Sequence, residues 1–158
     1  MTTVTHLTSG LVIAKVVNSF FSQPLQPEHV IVISAAFALL PDVNLLWHRK
    51  LKSHHDDFTH YPAAWIAISG ILFIASSFLG LLLFVNTMLH LILDTFGFTI
   101  GVKLLAPFNK REYSFTNLER DKADWSLKEK CRFLLKNPGR LNMELGINLL
   151  FISFLIFF

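Results

Sequence analysis

Charge is what this sequence has least of. Asp, Glu, Lys and Arg make up 16% of its 158 residues, against 53% hydrophobic ones. From Ala63 to Val85 there is no charged residue at all. A soluble domain of this length carries more charge and less aromatic surface, so the surplus apolar area must face lipid. Cysteine is almost absent as well. Cys131 stands alone, so no intramolecular disulfide forms and nothing here depends on an oxidising compartment. That thiol reads as a buried structural residue before it reads as a nucleophile. No motif that reads nucleic-acid bases occurs, and no nucleic-acid partner is expected. The N-terminus has no basic n-region, and no small-residue cleavage pattern follows Leu11–Phe21, so a signal peptide is not expected.

What is present fits a membrane. There are sixteen Phe, and the mean hydropathy is +0.50. The net charge of +3 matters less than its distribution, since nine of the fourteen Lys and Arg fall between Lys110 and Arg140. Basic stretches beside apolar spans point to anionic lipid headgroups and the cytoplasmic side of a membrane.

Five apolar stretches can be marked. Leu7–Phe21 is interrupted by Lys15 and Asn18, which makes it amphipathic. Gln23–Glu28, with two prolines, is a turn. Val30–Leu40 stops at Pro41. Both stretches fall short of the roughly 20 residues a lone crossing needs, and they read as a packed hairpin. Tyr61 to Leu105 is too long for one crossing and reads as a second hairpin, turning near Ser76-Ser77 to Gly80, with Pro62 in its first turn. Leu141–Phe158 is a terminal span that carries Glu144 and Asn148 near its start. Between the last two lies a polar region, 107–140. Ser126-x-x-Glu129 there forms a capping box, and Leu127, Cys131, Leu134 and Leu135 form an apolar stripe opposite lysines, the pattern of an interfacial helix. The fold class is therefore all-α: one membrane-embedded domain over 1–158, a polytopic bundle of about five helices, two hairpins plus a C-terminal span.

An up-and-down path places the polar residues. His6 opens the first helix, Asp42 follows the second, His60 precedes the third, and His90 and Asp94 lie late in the fourth. If each pair forms a hairpin, all five meet at one end of the bundle. Hydropathy alone sets that geometry. Asp94 is the sharpest residue, because an aspartate within an apolar helix costs several kcal/mol unless it is paired, ligated or solvated. His90-x-x-x-Asp94 puts both side chains on one helix face, where they can bite a divalent ion, with Zn²⁺ the usual partner of mixed N and O ligands. The simpler reading is a hydrogen bond between the two. The company of Asp42, His60 and His6 favours metal. His54-His55-Asp56-Asp57-Phe58-Thr59-His60 is a second dense patch, some of which is merely solvated. His29 and His48 read as structural or interfacial.

These same residues resemble a family pattern. Thr5-His6-Leu7, Leu39-Leu40-Pro41-Asp42-Val43-Asn44, His55-Asp56-Asp57-Phe58-Thr59-His60, His90-Leu91-Ile92-Leu93-Asp94 and Gly101-Val102-Lys103-Leu104-Leu105-Ala106-Pro107 occur in the order seen in the YdjM-like bacterial inner-membrane, metal-dependent hydrolases. The pattern is more distantly similar to zinc-dependent phospholipase C. The resemblance covers about the first two-thirds of the chain. It departs at Asn44, where the family has a second aspartate, so a second metal would lack one carboxylate. It departs again at Asp56-Asp57 in place of Arg-Gly and at Tyr61 in place of Ser.

The resemblance implies metal-assisted hydrolysis of an ester or phosphoester by one or two Zn²⁺ ions. His6, Asp42, His60, His90 and Asp94 would hold the metal. His55, Asp56 or Asp57 would manage the proton, and Lys52 or Lys103 would hold an anionic group. A site at the membrane surface suits a lipid or another amphiphile as substrate. The alternative is a non-catalytic membrane interaction protein in which a metal only clamps the helices. Ion transport would want ionisable residues through the full depth of the bundle, and the uncharged run from Ala63 to Val85 counts against it.

Overall fold

The computed structural model describes residues 1–20, 25–47, 55, 57–97, 101–115 and 127–157. Within them the chain forms helices α1 (Thr3–Phe20), α2 (Pro27–Leu39), α3 (Pro62–Ala75), α4 (Ser77–Thr95), α5 (Leu127–Lys136) and α6 (Pro138–Phe157). A 3₁₀ run, Leu40–Leu46, extends α2, and a 3₁₀ turn, Phe58–His60, leads into α3. The described residues contain no strand, only an isolated bridge between Val102 and Tyr113. The chain is an all-α helical membrane bundle.

Proline and serine set the boundaries. Pro27 and Pro62 occupy the first turns of α2 and α3, where a missing N–H costs nothing. Pro41 does the same for the 3₁₀ run, so it starts a new segment instead of only ending α2. Pro138 opens α6 one residue after α5 ends. The turn expected between Ser76 and Gly80 is tighter than that span: Ser76 alone joins α3 to α4, in an extended conformation, and its hydroxyl accepts from the Leu79 N–H at 3.3 Å.

Among the described residues, three helical segments are long and apolar enough to cross a membrane: Pro27–Leu46, Ser77–Thr95 and Pro138–Phe157. The shorter α3 has 14 residues, about 21 Å at 1.5 Å per residue, and packs along α4. Helix α1 packs on α2, α4 and α6. Two hairpins therefore form, α1 with α2 and α3 with α4, and the terminal span lies against α1.

Interhelical contacts inside lipid depend on close approach and polar glue, since lipid tails are as apolar as leucine. Gly10 supplies the approach: a Cβ there would sit 2.9 Å from the Ala38 Cβ and 3.1 Å from the Ser34 carbonyl oxygen. Ser34 then donates its hydroxyl to the Gly10 carbonyl at 2.8 Å, and the Asn86 amide donates to Ser34 Oγ at 2.9 Å. One buried chain of bonds ties α1, α2 and α4 together. Ile13, Ala14, Val17, Val30 and Leu82 close around it as an apolar core.

Helix α5 is the short amphipathic helix expected in the polar region. Cys131 departs from the sequence reading: its thiol is free and exposed, on a helix whose packing partner among the described residues is α6. Ser126, the first half of the expected capping box, lies outside the described residues.

A candidate metal centre at one end of the bundle

The hairpins bring the start of α1, the end of α2, the entry to α3 and the end of α4 to one place. His6 comes from α1, Asp42 from the 3₁₀ run, His55 and His60 from the segment before α3, and His90 and Asp94 from α4. All but Asp42 are buried. One donor atom from each of Asp42, His60, His90 and Asp94 lies within 4.8 Å of the others. His90 Nε2 is 3.0 Å from Asp94 Oδ2 and 3.5 Å from Asp42 Oδ1, and His60 Nε2 is 3.8 Å from each carboxylate. A tetrahedral ion with bonds of about 2.1 Å has ligand-to-ligand edges of about 3.4 Å. The four measured edges bracket that length.

The outer faces of the rings set the direction of their lone pairs. A carbonyl oxygen can only accept, so His90 Nδ1–H donates to the Ala38 carbonyl at 2.7 Å. His55 Nδ1–H donates to the Gly101 carbonyl at 2.8 Å. In the neutral rings this leaves Nε2 as the donor atom toward the carboxylates, the arrangement a metal-ligating histidine needs. Gly101 can present its carbonyl because its φ is +127°, and a Cβ there would lie 2.9 Å from the Tyr113 carbonyl oxygen. Behind His60, Thr59 Oγ1 and the Asn44 amide nitrogen lie 3.3 and 3.4 Å from Nδ1.

Asp94 is the hub. Its Oδ2 faces His90, His60 and His55, the last at 3.6 Å, and is buried without a hydrogen-bond partner. Its Oδ1 meets His6 Nε2 at 3.1 Å and the Met1 amine nitrogen at 2.5 Å. The His6 ring stacks on His90, centroids 3.7 Å apart and planes 17° from parallel. Two positive charges at that spacing repel by about 4 kcal/mol even at an effective dielectric of about 20. Stacked imidazolium ions are therefore a poor way to neutralise Asp42 and Asp94. A divalent cation among the Nε2 and carboxylate oxygens does so without that repulsion, and the donor set fits one.

The residues singled out from sequence divide clearly. His6, Asp42, His60, His90 and Asp94 do meet, with His6 reaching Asp94 through its other oxygen. His55 joins them from the dense patch. Asp57 turns away: Oδ1 accepts from the Phe58 N–H and Oδ2 from Trp47 Nε1–H, both at 2.6 Å, so its carboxylate caps the turn that carries His60. Asp56, His48, Lys52 and His54 lie outside the described residues. Lys103 is half-buried, and His29 is exposed at the start of α2.

Sequence reasoning did not find the supporting groups. The Ala38 and Gly101 carbonyls leave no side-chain signature, although Gly101 itself marks the second. Glu144 of α6 stands in the terminal span, where its spacing predicts no partner. It is buried, with Oε1 accepting from the Thr2 N–H at 2.9 Å, Thr2 Oγ1 at 2.6 Å and Thr5 Oγ1 at 2.5 Å.

A family model described as YdjM inner membrane protein matches residues 1–158. No curated protein and no solved structure matches the chain.

Proposed function

The chain belongs to the YdjM inner membrane protein family, and from that premise we propose that it is a membrane-bound, metal-dependent hydrolase of esters or phosphoesters. The observation that carries the reading is the convergence of half-buried Asp42 with buried His60, His90 and Asp94, with separations of 3.0 to 3.8 Å between imidazole and carboxylate atoms. These four residues would hold the ion, and zinc suits their two nitrogens and two oxygens. When bound, Zn²⁺ brings the pKa of its water to about 7 and polarises a carbonyl or phosphoryl oxygen. His6 orients Asp94 from the side of Oδ1. His55, fixed by the Gly101 carbonyl, takes the proton of the attacking water at Nε2. As the water oxygen bonds to carbon or phosphorus, the ester bond to the leaving oxygen breaks, and that proton passes to the departing alcohol. Asp57 contributes by holding the His60 turn. The site end faces the cytoplasm, in line with the basic residues between Lys110 and Arg140.

A structural clamp is the second reading, and one observation favours it. Four protein ligands in a closed, buried site are the mark of structural zinc, and three of these four are almost fully enclosed. Elemental analysis of detergent-purified protein, beside a His90→Ala/Asp94→Ala variant, tests the metal. Zinc bound to the parent and absent from the variant is expected, and equal, near-zero zinc in both sinks both readings. A screen of the zinc-loaded protein against phosphate-ester and lipid-ester substrates then separates the two. Turnover that the double variant lacks marks the hydrolase, and bound zinc with no turnover marks the clamp.

A further inference from the structure

The cluster has one visible approach among the described residues. The His60 and His90 side chains are fully buried and that of Asp94 is 4% exposed, whereas that of Asp42 is 19% exposed. Asp42 does not open onto a polar cleft. It lines a groove of 380 Å³ whose other walls include Thr3, Ala36, Leu39, Val43 and Leu46. Apart from Thr3 and Asp42 the lining is apolar, and Val43 and Leu46 expose 38% and 84% of their surface. From Ala36 to Leu46 the wall belongs to the segment Pro27–Leu46, one of the three able to cross a membrane. The second groove, at Lys15, Asn18 and Leu155, includes none of the cluster residues.

We propose that the Asp42 groove holds one hydrocarbon chain of a membrane lipid and brings its polar head to the Asp42 side of the cluster, so that the molecule enters sideways from the bilayer. In its claim that this lipid is the substrate, the proposal rests on the hydrolase reading. Its claim about the groove stands on the walls alone. A chain moving from bilayer to groove gains little hydrophobic energy, because lipid tails and leucine side chains are equally apolar. The groove's contribution is positional: the tail stays in an apolar medium while the head reaches the carboxylate that lines the same groove. A water-soluble phosphoester would have to cross the same apolar wall with its charge exposed. Selectivity for an amphiphile follows from that difference.

The test uses the full-length protein in vesicles of phosphatidylethanolamine and phosphatidylglycerol, doped with a phospholipid that carries a diazirine in one acyl chain. After irradiation, labelled positions are mapped by mass spectrometry and zinc is measured on the same samples. Label over Ala36 to Leu46 is expected several-fold above that on the exposed apolar residues Leu149 and Ile152 of α6. Ala36→Trp, which fills the groove, removes most of the excess while zinc content stays at the parent level. Val43→Trp, at another exposed position of the same wall, gives the same loss should Ala36→Trp fail to fold. Label no higher than on α6, or an excess that survives both substitutions, overturns the proposal. The His90→Ala/Asp94→Ala variant separates it from the hydrolase reading. Groove labelling that persists there, with no zinc even in the parent, upholds the chain site and removes the hydrolase. Zinc in the parent with no groove excess overturns the chain site alone.

Discussion

Helices α4 and α6 are near twins by composition, with 19 and 20 residues and mean hydropathies of 1.7 and 1.5. Their surroundings differ completely. Ten residues of α4 are buried, His90 and Asp94 among them, whereas Glu144 is the one buried residue of α6. Hydropathy states that each can cross a membrane, and says nothing of which lies inside. The polar residues say it. On α4, Asn86, His90 and Asp94 recur every four residues and define the face turned to α1 and α2. On α6, Glu144 and Asn148 make a shorter stripe of the same spacing. That stripe meets Thr2, Thr5 and Thr8 of the N-terminal segment: Thr8 Oγ1 donates to Asn148 Oδ1, and Asn148 Nδ2 donates to Thr5 Oγ1, both at 2.9 Å. In lipid the polar stripe marks the protein side, because an ionisable group facing hydrocarbon costs several kcal/mol. The length of the stripe tells how much of the helix is enclosed.

The contrast breaks most easily at the two carboxylates. Asp94→Ala leaves His6, His55, His60 and His90 around an empty centre, and removing one partner from a buried ionic group costs about 3–5 kcal/mol. Loss of bound zinc, with a large fall in the unfolding temperature in detergent, is the expected outcome. Glu144→Ala strands two threonine hydroxyls and the Thr2 N–H, a cost of about 1–3 kcal/mol, while zinc content stays near the parent value. Should Glu144→Ala empty the site as fully as Asp94→Ala, then α6 belongs to the centre and the division between the helices fails.

Glycine gives the same contrast in packing. Gly10→Val drives a side chain into Ala38 and the Ser34 carbonyl, and overpacking of this kind costs about 1–3 kcal/mol. A Cβ at Gly146 of α6 meets nothing within 4 Å. Gly146→Val should therefore change stability by no more than about 0.5 kcal/mol, the usual range away from packed features. Thermal unfolding of both variants in one detergent measures the difference. A comparable loss at Gly146 would mean that α6 has a neighbour, such as a second copy of the chain.

The bundle was legible in the sequence because its signals are local. Pro27, Pro62 and Ser76 mark helix ends through their own backbone chemistry, and the uncharged run from Ala63 to Val85 admits little besides apolar helix. The meeting of His6, Asp42, His60, His90 and Asp94 was legible for a topological reason: consecutive hairpins leave only two ends at which residues can gather. Position within the gathering was not. Spacing could not say that Asp57 spends both oxygens on Phe58 and Trp47 while His55, two residues earlier, turns inward. Those bonds depend on the path of the chain and not on residue type. The Ala38 and Gly101 carbonyls that orient His90 and His55 are backbone atoms, which composition cannot distinguish. Cys131 departs from the expected buried thiol because it sits on the stripe of an interfacial helix, and such a stripe faces a membrane surface as readily as it faces protein.

A last pair of substitutions sharpens the contrast through its smallest effect. Asn44 is buried in the 3₁₀ run with its amide 3.4 Å from His60 Nδ1. Position 44, where the family pattern has an aspartate, therefore lies behind a candidate ligand and not among the candidate ligands. An asparagine there supports His60 more weakly than a carboxylate would, without removing a donor that an ion would use. In Asn44→Asp the carboxylate accepts from Nδ1–H, fixes the tautomer with its lone pair on Nε2, and raises the basicity of that nitrogen. Outer partners of this kind are worth about 10–100-fold in metal affinity, and the burial of one more anion offsets part of the gain, so tightening of about tenfold is expected. Asn148→Asp makes the same change on α6, where the stripe meets threonines and not imidazoles, and leaves zinc affinity where it was. Competition against a chelator of known zinc affinity reads both. Equal shifts in the two variants would mean that added negative charge at this end of the bundle, and not support of His60, sets the affinity.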